Sequence, residues 1–293
     1  MSCPTLAQEV AELVPSSGLD LLAGGVPCPP FSRAGKQLGE RDDRDLFPAA
    51  VRLVDALRPR AVLFENVRGL LEPKFAAYRR RVIFEPLRRL GYETRSGVVN
   101  AADFGVPQVR QRAIIVAVRS SDRSTASQGL NVLNDAEVPW PSGGRRRVTV
   151  GEALRDEMGR GGWPGVAQWA TVADGLAPTL VGGSKKHGGP DLGPTQARAQ
   201  WERLGVNGRL VKTEPPAPDH EGLPYLSVRM AAIVQGFPAE WPFQGSKTHA
   251  YRQVGNAFPP PVARAFGEYI AALLGLAGET GPRREELLDA HHR

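Results

Sequence analysis

Cys28 and Glu65 are the residues whose chemistry stands out. Cys28 lies in the stretch from Leu19 to Ser32, LDLLAGGVPCPPFS, with Pro27 before it and Pro29-Pro30 after it. Proline fixes its own φ and holds its neighbour extended, so this thiol sits on a stiff loop. Most free cysteines are small buried hydrophobes. Here glycine and proline flank the thiol and leave little side-chain bulk to bury it, which suits a nucleophile better than a core residue. Glu65 follows the apolar run Ala61-Val62-Leu63-Phe64. An acid where an apolar strand stops is either a solvated terminus or a site residue, and the local sequence leaves both open.

The elements that must position these groups alternate. Leu19, Leu21, Leu22 and Ala23 read as a short buried strand that breaks at Gly24-Gly25. The span from Leu46 to Leu57 reads as an amphipathic helix with Leu46, Ala50, Leu53, Val54 and Leu57 on one face, ended by Pro59. Ala61 to Phe64 is a second buried strand. Strand, helix, strand predicts a right-handed crossover and a parallel sheet. The carboxyl ends of both strands then share one edge, so Cys28 and Glu65 are expected to face one cleft, where open α/β sheets collect ligands. Residues 33–45, polar and glycine-containing, read as a lid over it. A helix around Leu6 to Leu13 precedes the first strand.

Downstream, a long basic helix is expected from Lys74 to Leu90, stopped by Gly91, then a strand from Tyr92 to Val99. Gln108-Val109-Arg110-Gln111-Arg112 leads into a strand from Ala113 to Val118. Strand alternation would put Gln108, Arg110 and Arg112 on one face. Polar side chains entering a buried strand are costly unless they meet a ligand or a partner. Residues 120–226 are rich in Gly, Pro, Trp and Arg, with weak periodicity. They read as a second, loop-rich domain, because Trp140, Trp163, Trp169 and Trp201 need packing. Arg145-Arg146-Arg147, a turn at Thr179 to Gly183, and Lys185-Lys186 are contact candidates there, to phosphates or to bases. Regularity returns with a helix from Arg229 to Phe237, a tight Gly-Asn turn within Tyr251 to Pro261, and an apolar helix from Val262 to Leu276. Residues 278–293 read as a charged, flexible tail.

The totals set bounds. The chain has 293 residues and is 41% hydrophobic, enough for a real core. No apolar run reaches the length of a membrane span and no secretory signal opens the chain, so a cytoplasmic setting is expected. Two cysteines, one of them Cys3 near the terminus, argue against a structural disulfide and a zinc site. The net charge of +6 is carried mainly by arginine. Arginine suits phosphates and guanine edges, yet a GC-rich genome also enriches it. Charge alone therefore permits nucleic acid without requiring it.

Five separated motifs in order, PCPPFS, FENV, QVRQR, RMAAIVQGFP and QVGNAFPPPVA, resemble those of the DNA (cytosine-5) methyltransferases, and a variable segment lies between the third and fourth. The resemblance runs from Leu19 to Leu276. It implies an α/β fold: an incomplete S-adenosylmethionine-dependent methyltransferase (Rossmann-like) sheet domain plus a smaller irregular target-recognition domain. The implied division is a catalytic domain over 1–139, a target-recognition domain over 140–226, and 227–277 holding the end of the recognition domain and the return helix of the catalytic domain.

The resemblance also implies roles. Cys28 would attack C6 of a cytosine rotated out of duplex DNA, Glu65 would bind N3 and the exocyclic amine, and Arg112 with Arg110 would hold the flipped nucleotide and the site. Pro27, Leu46 and Asn256 would lie toward the cofactor, S-adenosylmethionine. Ser32, Gln108, Arg145, Thr179, Lys185, Lys186 and Arg229 would lie toward DNA. No metal is implied, and a cognate restriction enzyme would be a functional counterpart only.

Two departures stand out. Pro29 replaces the glutamine usual after the nucleophile. The family's cofactor half, with a Phe-x-Gly-x-Gly loop, belongs ahead of Leu19, yet no such loop occurs in the eighteen residues there. A longer form of the chain or a separate polypeptide would then supply it, or the chain would bind DNA without catalysis. A tRNA cytosine-5 methyltransferase is a further alternative, disfavoured by the long variable segment and by the absence of that group's Cys-Phe-Thr signature.

Overall fold

The computed structural model describes residues 18–27, 45–122, 138–182 and 190–276, and the chain divides into two units. The first comprises residues 1–97, 113–141 and 266–293; the second comprises 98–112 and 142–265. Residues 98–112, expected in the catalytic domain, group with the segment expected to carry recognition, as do 227–265, while 266 onward groups with the first unit. Cys28, Ser32, Lys185, Lys186, the lid over 33–45 (save Asp45), the helix near Leu6 and the tail over 278–293 lie outside the described residues.

Four strands, β1 (Leu21–Gly25), β2 (Ala61–Val67), β3 (Tyr92–Asn100) and β4 (Gln111–Arg119), form a sheet in the order β1-β2-β4-β3. β1 and β2 are parallel, as the strand–helix–strand pattern requires, with Leu21 opposite Ala61 and Gly25 opposite Glu65. β2 is central and its Ala61 to Phe64 are buried. β1 is not the buried strand expected: it is the edge strand among the described residues and is half-exposed.

Helix α1 (Phe47–Leu57) buries Phe47, Val51, Val54 and Leu57, a helical-spacing stripe, in the first unit. Phe47 packs edge-on to Phe64 of β2 at 6.1 Å between ring centroids. The basic stretch expected as one helix is composite: two short 3-10 turns, then α2 (Ala76–Arg79), a π-helical segment Arg80–Phe84 and α3 (Glu85–Arg89). Pro86 explains the wide turn, since it has no N–H for the carbonyl four residues back and its ring crowds that carbonyl. Trp140 belongs to this first unit. Its ring meets Phe266 at 5.0 Å and Tyr269 at 5.7 Å, and the Arg95 guanidinium lies over it at 4.9 Å. The missing side chain of Gly97 makes room for that ring, since a Cβ there would lie 3.3 Å from the indole.

The second unit is more helical than its sequence suggested. It holds α4 (Val150–Gly159), α5 (Val166–Val172), α6 (Thr195–Arg203), α7 (Val228–Val234) and α8 (Lys247–Asn256), and α9 (Pro260–Leu273) starts within it. Leu154, Met158, Trp169, Trp201, Met230, Val234, Tyr251 and Val254 form its core. α5 and α6 bury one residue each, Trp169 and Trp201, which leaves little periodicity to read in a segment expected to be loop-rich. α4 opens with a full capping box, the Thr149 hydroxyl accepting from Glu152 N–H while the Glu152 carboxylate accepts from Thr149 N–H. The expected Gly-Asn turn is a correction: Gly255 and Asn256 are the last residues of α8, and the chain turns only after them.

Candidate active site and its supporting network

In the first unit the site is built where β1 ends beside β2, two residues before β2 itself ends at Val67. Gly25 and Glu65 are register partners, and a Cβ on Gly25 would lie 3.5 Å from Oε2 of Glu65. The next residue along each strand locks the arrangement. The Asn66 side chain is buried; its Nδ2 donates to the Val26 carbonyl at 3.1 Å, and its Oδ1 accepts from Val67 N–H at 2.8 Å. The chain leaving β1 toward Cys28 is thus tied to β2 beside the Glu65 carboxylate, which is half-buried. An amide in place of an apolar residue explains the tie, since only a side chain with a donor and an acceptor can satisfy both main-chain groups.

Pro27 is exposed, and Leu46 is 45% exposed just before α1. Asp45 fixes Leu46 from the preceding position. Its Oδ1 accepts from Phe47 N–H at 3.1 Å and its Oδ2 from the Tyr78 hydroxyl at 2.6 Å. Burial, with the Asp45 carboxylate beside it, pushes the Tyr78 hydroxyl far above the ordinary tyrosine range.

In the second unit the QVRQR motif is organised differently from expectation. β4 begins only at Gln111, so alternation does not govern residues 108–110. Gln108 is fully buried. Its Nε2 donates to Gln235 Oε1 at 2.7 Å and to the Val234 carbonyl at 3.2 Å, while its Oε1 accepts from Leu180 N–H at 2.8 Å. Arg110 is 2% exposed. Its guanidinium donates to the carbonyls of Leu180 at 2.7 Å, Gly255 at 3.1 Å and Ala257 at 3.0 Å. Both placements are corrections. Gln108 is not a surface group toward DNA, and Arg110 grips main chain rather than presenting itself to a nucleotide. Of the three, Arg112 alone is half-exposed, its Nη1 on the Gln111 carbonyl at 2.8 Å.

The network joins segments far apart in sequence: the strand-like run at 177–182, the end of α7 and the end of α8. The Thr179 hydroxyl donates to the Val109 carbonyl at 2.7 Å, so this side chain too serves the scaffold. Gly182 approaches so closely that a Cβ on it would come 2.5 Å from Asn256 Oδ1. Gln235 was missed in the sequence. It is fully buried and its Nε2 donates to the Ala257 carbonyl at 2.7 Å. An uncharged amide closing the apolar run Met230 to Val234 was the available signal.

The surface arginines also sort themselves. Arg146 pairs with Glu152 at 2.8 Å and Arg147 with Asp103 at 3.1 Å. Arg145 is exposed and has no ion pair among the described residues; only its backbone N–H is engaged, with the Asp103 carbonyl. Arg229 contacts the buried Glu157 at 3.0 Å, and Arg160 reaches the same carboxylate. Among the described residues no group of three or more His, Cys, Asp or Glu could hold a metal, and no helix is long and apolar enough to cross a membrane.

A family model for C-5 cytosine-specific DNA methylases matches residues 6–272. The chain belongs to this family. It is 48% identical over 278 residues to the Type II methyltransferase M.NaeI of Lentzea aerocolonigenes, covering 94% of this chain and 63% of that protein. The chain thus spans less than two thirds of that relative's length. It is 45% identical over 264 residues to the Type II methyltransferase M.NgoMIV of Neisseria gonorrhoeae, covering 88% of this chain and 78% of that protein. Among solved structures, the methyltransferase EhMeth of Entamoeba histolytica superposes with a TM-score of 0.55 at 13% identity, over 91% of this chain and 80% of that one. That likeness establishes the methyltransferase fold.

Proposed function

We propose that this protein methylates C5 of cytosine within a specific duplex DNA sequence, as the modification arm of a restriction system. The observation that carries the reading is the pairing of Gly25 with Glu65, three residues ahead of Cys28, in a member of this family. Its relatives' description as Type II methyltransferases supports the restriction setting.

Cytosine C5 is a poor nucleophile. The Cys28 thiolate would form an S–C6 bond while Glu65, protonated, gives its proton toward N3, which leaves an enamine-like C5. After methyl transfer to C5, return of the N3 proton to Glu65, loss of the C5 proton to solvent and breakage of the S–C6 bond would restore the ring, the thiolate and the acid. A base inside a duplex cannot reach a side chain, so the cytosine must be rotated out, at a cost of a few kcal/mol recovered by pocket contacts. Arg112 is the half-exposed cation of its motif and would meet the flipped nucleotide. Arg110 and Gln108 would act through the main chain they hold.

S-adenosylmethionine would supply an electrophilic methyl sulfonium. Leu46 fits one wall of its site, an apolar side chain left exposed on a pinned main chain. Arg145 is the cation in its run best placed for DNA, since its two neighbours are paired.

Incubation with duplex DNA carrying 5-fluorocytosine tests the reading. Fluorine at C5 cannot leave as a proton does, so a covalent protein–DNA adduct should accumulate in the presence of the methyl donor and vanish in Cys28→Ala, which should still bind DNA. A Cys28→Ala protein that methylates normally would refute it.

A further inference from the structure

The second unit carries an aromatic cavity that the proposed chemistry does not use. It encloses about 360 Å³, within the range of small-ligand pockets that starts near 300 Å³, and its lining includes Arg229, Glu240, Trp241, Phe243 and Lys247. Trp241 is 52% exposed, an unusual surface position for so large an apolar ring. One side of the indole is backed by Phe237, 5.6 Å away, which in turn meets Phe243 edge-on at 5.1 Å. Pro238 and Pro242 stiffen the main chain on either side, and Trp241 N–H closes a turn onto the Pro238 carbonyl. The ring is therefore held before any ligand arrives, which lowers the entropy lost on binding.

The charges at the rim select the ligand. Lys247 has no ion-pair partner among the described residues, and the Arg229 side chain stays 42% exposed despite its contact with Glu157. Glu240 is the one acid of the lining. A rigid, exposed indole with cations at its edge is the arrangement that stacks a nucleobase and holds its phosphate. We propose that this cavity binds one unpaired nucleotide, its base stacked on Trp241 and its phosphate near Lys247, as a site separate from the one at Glu65. The assignment rests on the reading of the protein as one that acts on DNA, where an unstacked nucleotide becomes available.

The test uses two duplexes of one sequence at low salt, fully paired or with one bulged 2-aminopurine nucleotide, and measures affinity and 2-aminopurine fluorescence. The parent protein should bind the bulged duplex about tenfold more tightly, within the range for stacking one base on an aromatic ring, and should quench the probe. Trp241→Ala should lose both effects while binding paired duplex unchanged; Trp241→Phe should restore them in part, and Lys247→Ala should weaken the preference. A preference that persists in Trp241→Ala would place the base elsewhere, including the site at Glu65, and would overturn the assignment. Equal affinity for both duplexes would also overturn it. Binding of neither duplex would overturn the DNA reading itself. Dimerisation lost in Trp241→Ala, without any base preference, would assign the ring to a second copy of this chain instead.

Discussion

Gln108 and Gln235 face each other with no water between them, Nε2 of the first donating to Oε1 of the second across 2.7 Å, both side chains fully buried. Each then spends its remaining hydrogen-bonding capacity on main chain: Gln108 on Leu180 and Val234, Gln235 on Ala257. Gln108→Leu would strand the Leu180 N–H and the Gln235 carbonyl in the core, at about 1–3 kcal/mol for each unmet group. Urea denaturation should therefore show a loss of about 2–6 kcal/mol. Adding Gln235→Leu should cost less than the sum of the single changes, by about 1 kcal/mol in a double-mutant cycle. Strict additivity would mean that the two amides act independently.

Arg110 offers a sharper test of shape against charge. Its planar fork reaches carbonyls on Leu180, Gly255 and Ala257. Lysine keeps the charge but is a point donor on a flexible stem and cannot span three acceptors on two segments. Arg110→Lys should destabilise the protein by roughly 3 kcal/mol, at the upper end for a buried polar group left unmet. Near-parental stability, measured by chemical denaturation, would show that charge alone suffices.

These two residues also show where sequence reasoning reached and where it stopped. The apolar runs at Leu19 to Ala23 and Ala61 to Phe64 read correctly as adjacent parallel strands, because strand–helix–strand connectivity leaves few topologies. The place of Glu65 beside the end of β1 followed from that, although β2 does not stop at Phe64 as expected but runs on through Glu65 to Val67. The spacing of Gln108, Arg110 and Arg112 carried no such information. The partners of Gln108 and Arg110 lie 70 or more residues away, and a polar side chain that meets a distant group of the chain reads in sequence like one that meets a ligand. α5 and α6 were illegible for a different reason: helices of seven and nine residues give too few turns for a period to emerge.

The capping box of α4 makes a pH-dependent contribution with a definite sign. The Thr149 N–H and then Arg146 hold the Glu152 carboxyl below its ordinary range. A depressed folded-state pKa contributes stability that is fully present above the unfolded value of about 4.3 and is lost as pH falls through the folded one. Glu152→Gln should lower Tm at pH 7, and the gap to the parent should narrow as pH drops below about 4.5, where the parent also loses its charge. A gap constant from pH 7 to pH 3 would show that hydrogen bonding alone, without charge, supports the cap.

Gly182 lies against the end of α8 with no room for a side chain. An alanine Cβ there would sit 2.5 Å from Asn256 Oδ1, well inside van der Waals contact. Gly182→Ala should cost about 1–3 kcal/mol, as overpacking does. The obstacle is a side chain rather than a backbone atom, so Asn256→Ala in the same chain should restore most of the loss. Failure of that rescue, measured by thermal denaturation of all four proteins, would show that the segment at 179–182 cannot shift at all.

Glu65 separates chemistry from binding most directly. Its neighbours Gly25 and Asn66 fix the strand ends through main-chain register and the Asn66 amide, neither of which depends on the charge of Glu65. Glu65→Gln should therefore fold and bind duplex DNA as the parent does. Its amide cannot give a proton toward N3, so the rate of methyl transfer to DNA should fall by at least about a hundredfold, the lower bound for losing a general acid. The same change should slow adduct formation with 5-fluorocytosine DNA, since protonation near N3 accompanies attack at C6. A variant that forms the adduct at the parental rate yet transfers no methyl group would move the role of Glu65 to a step after the thiol has added.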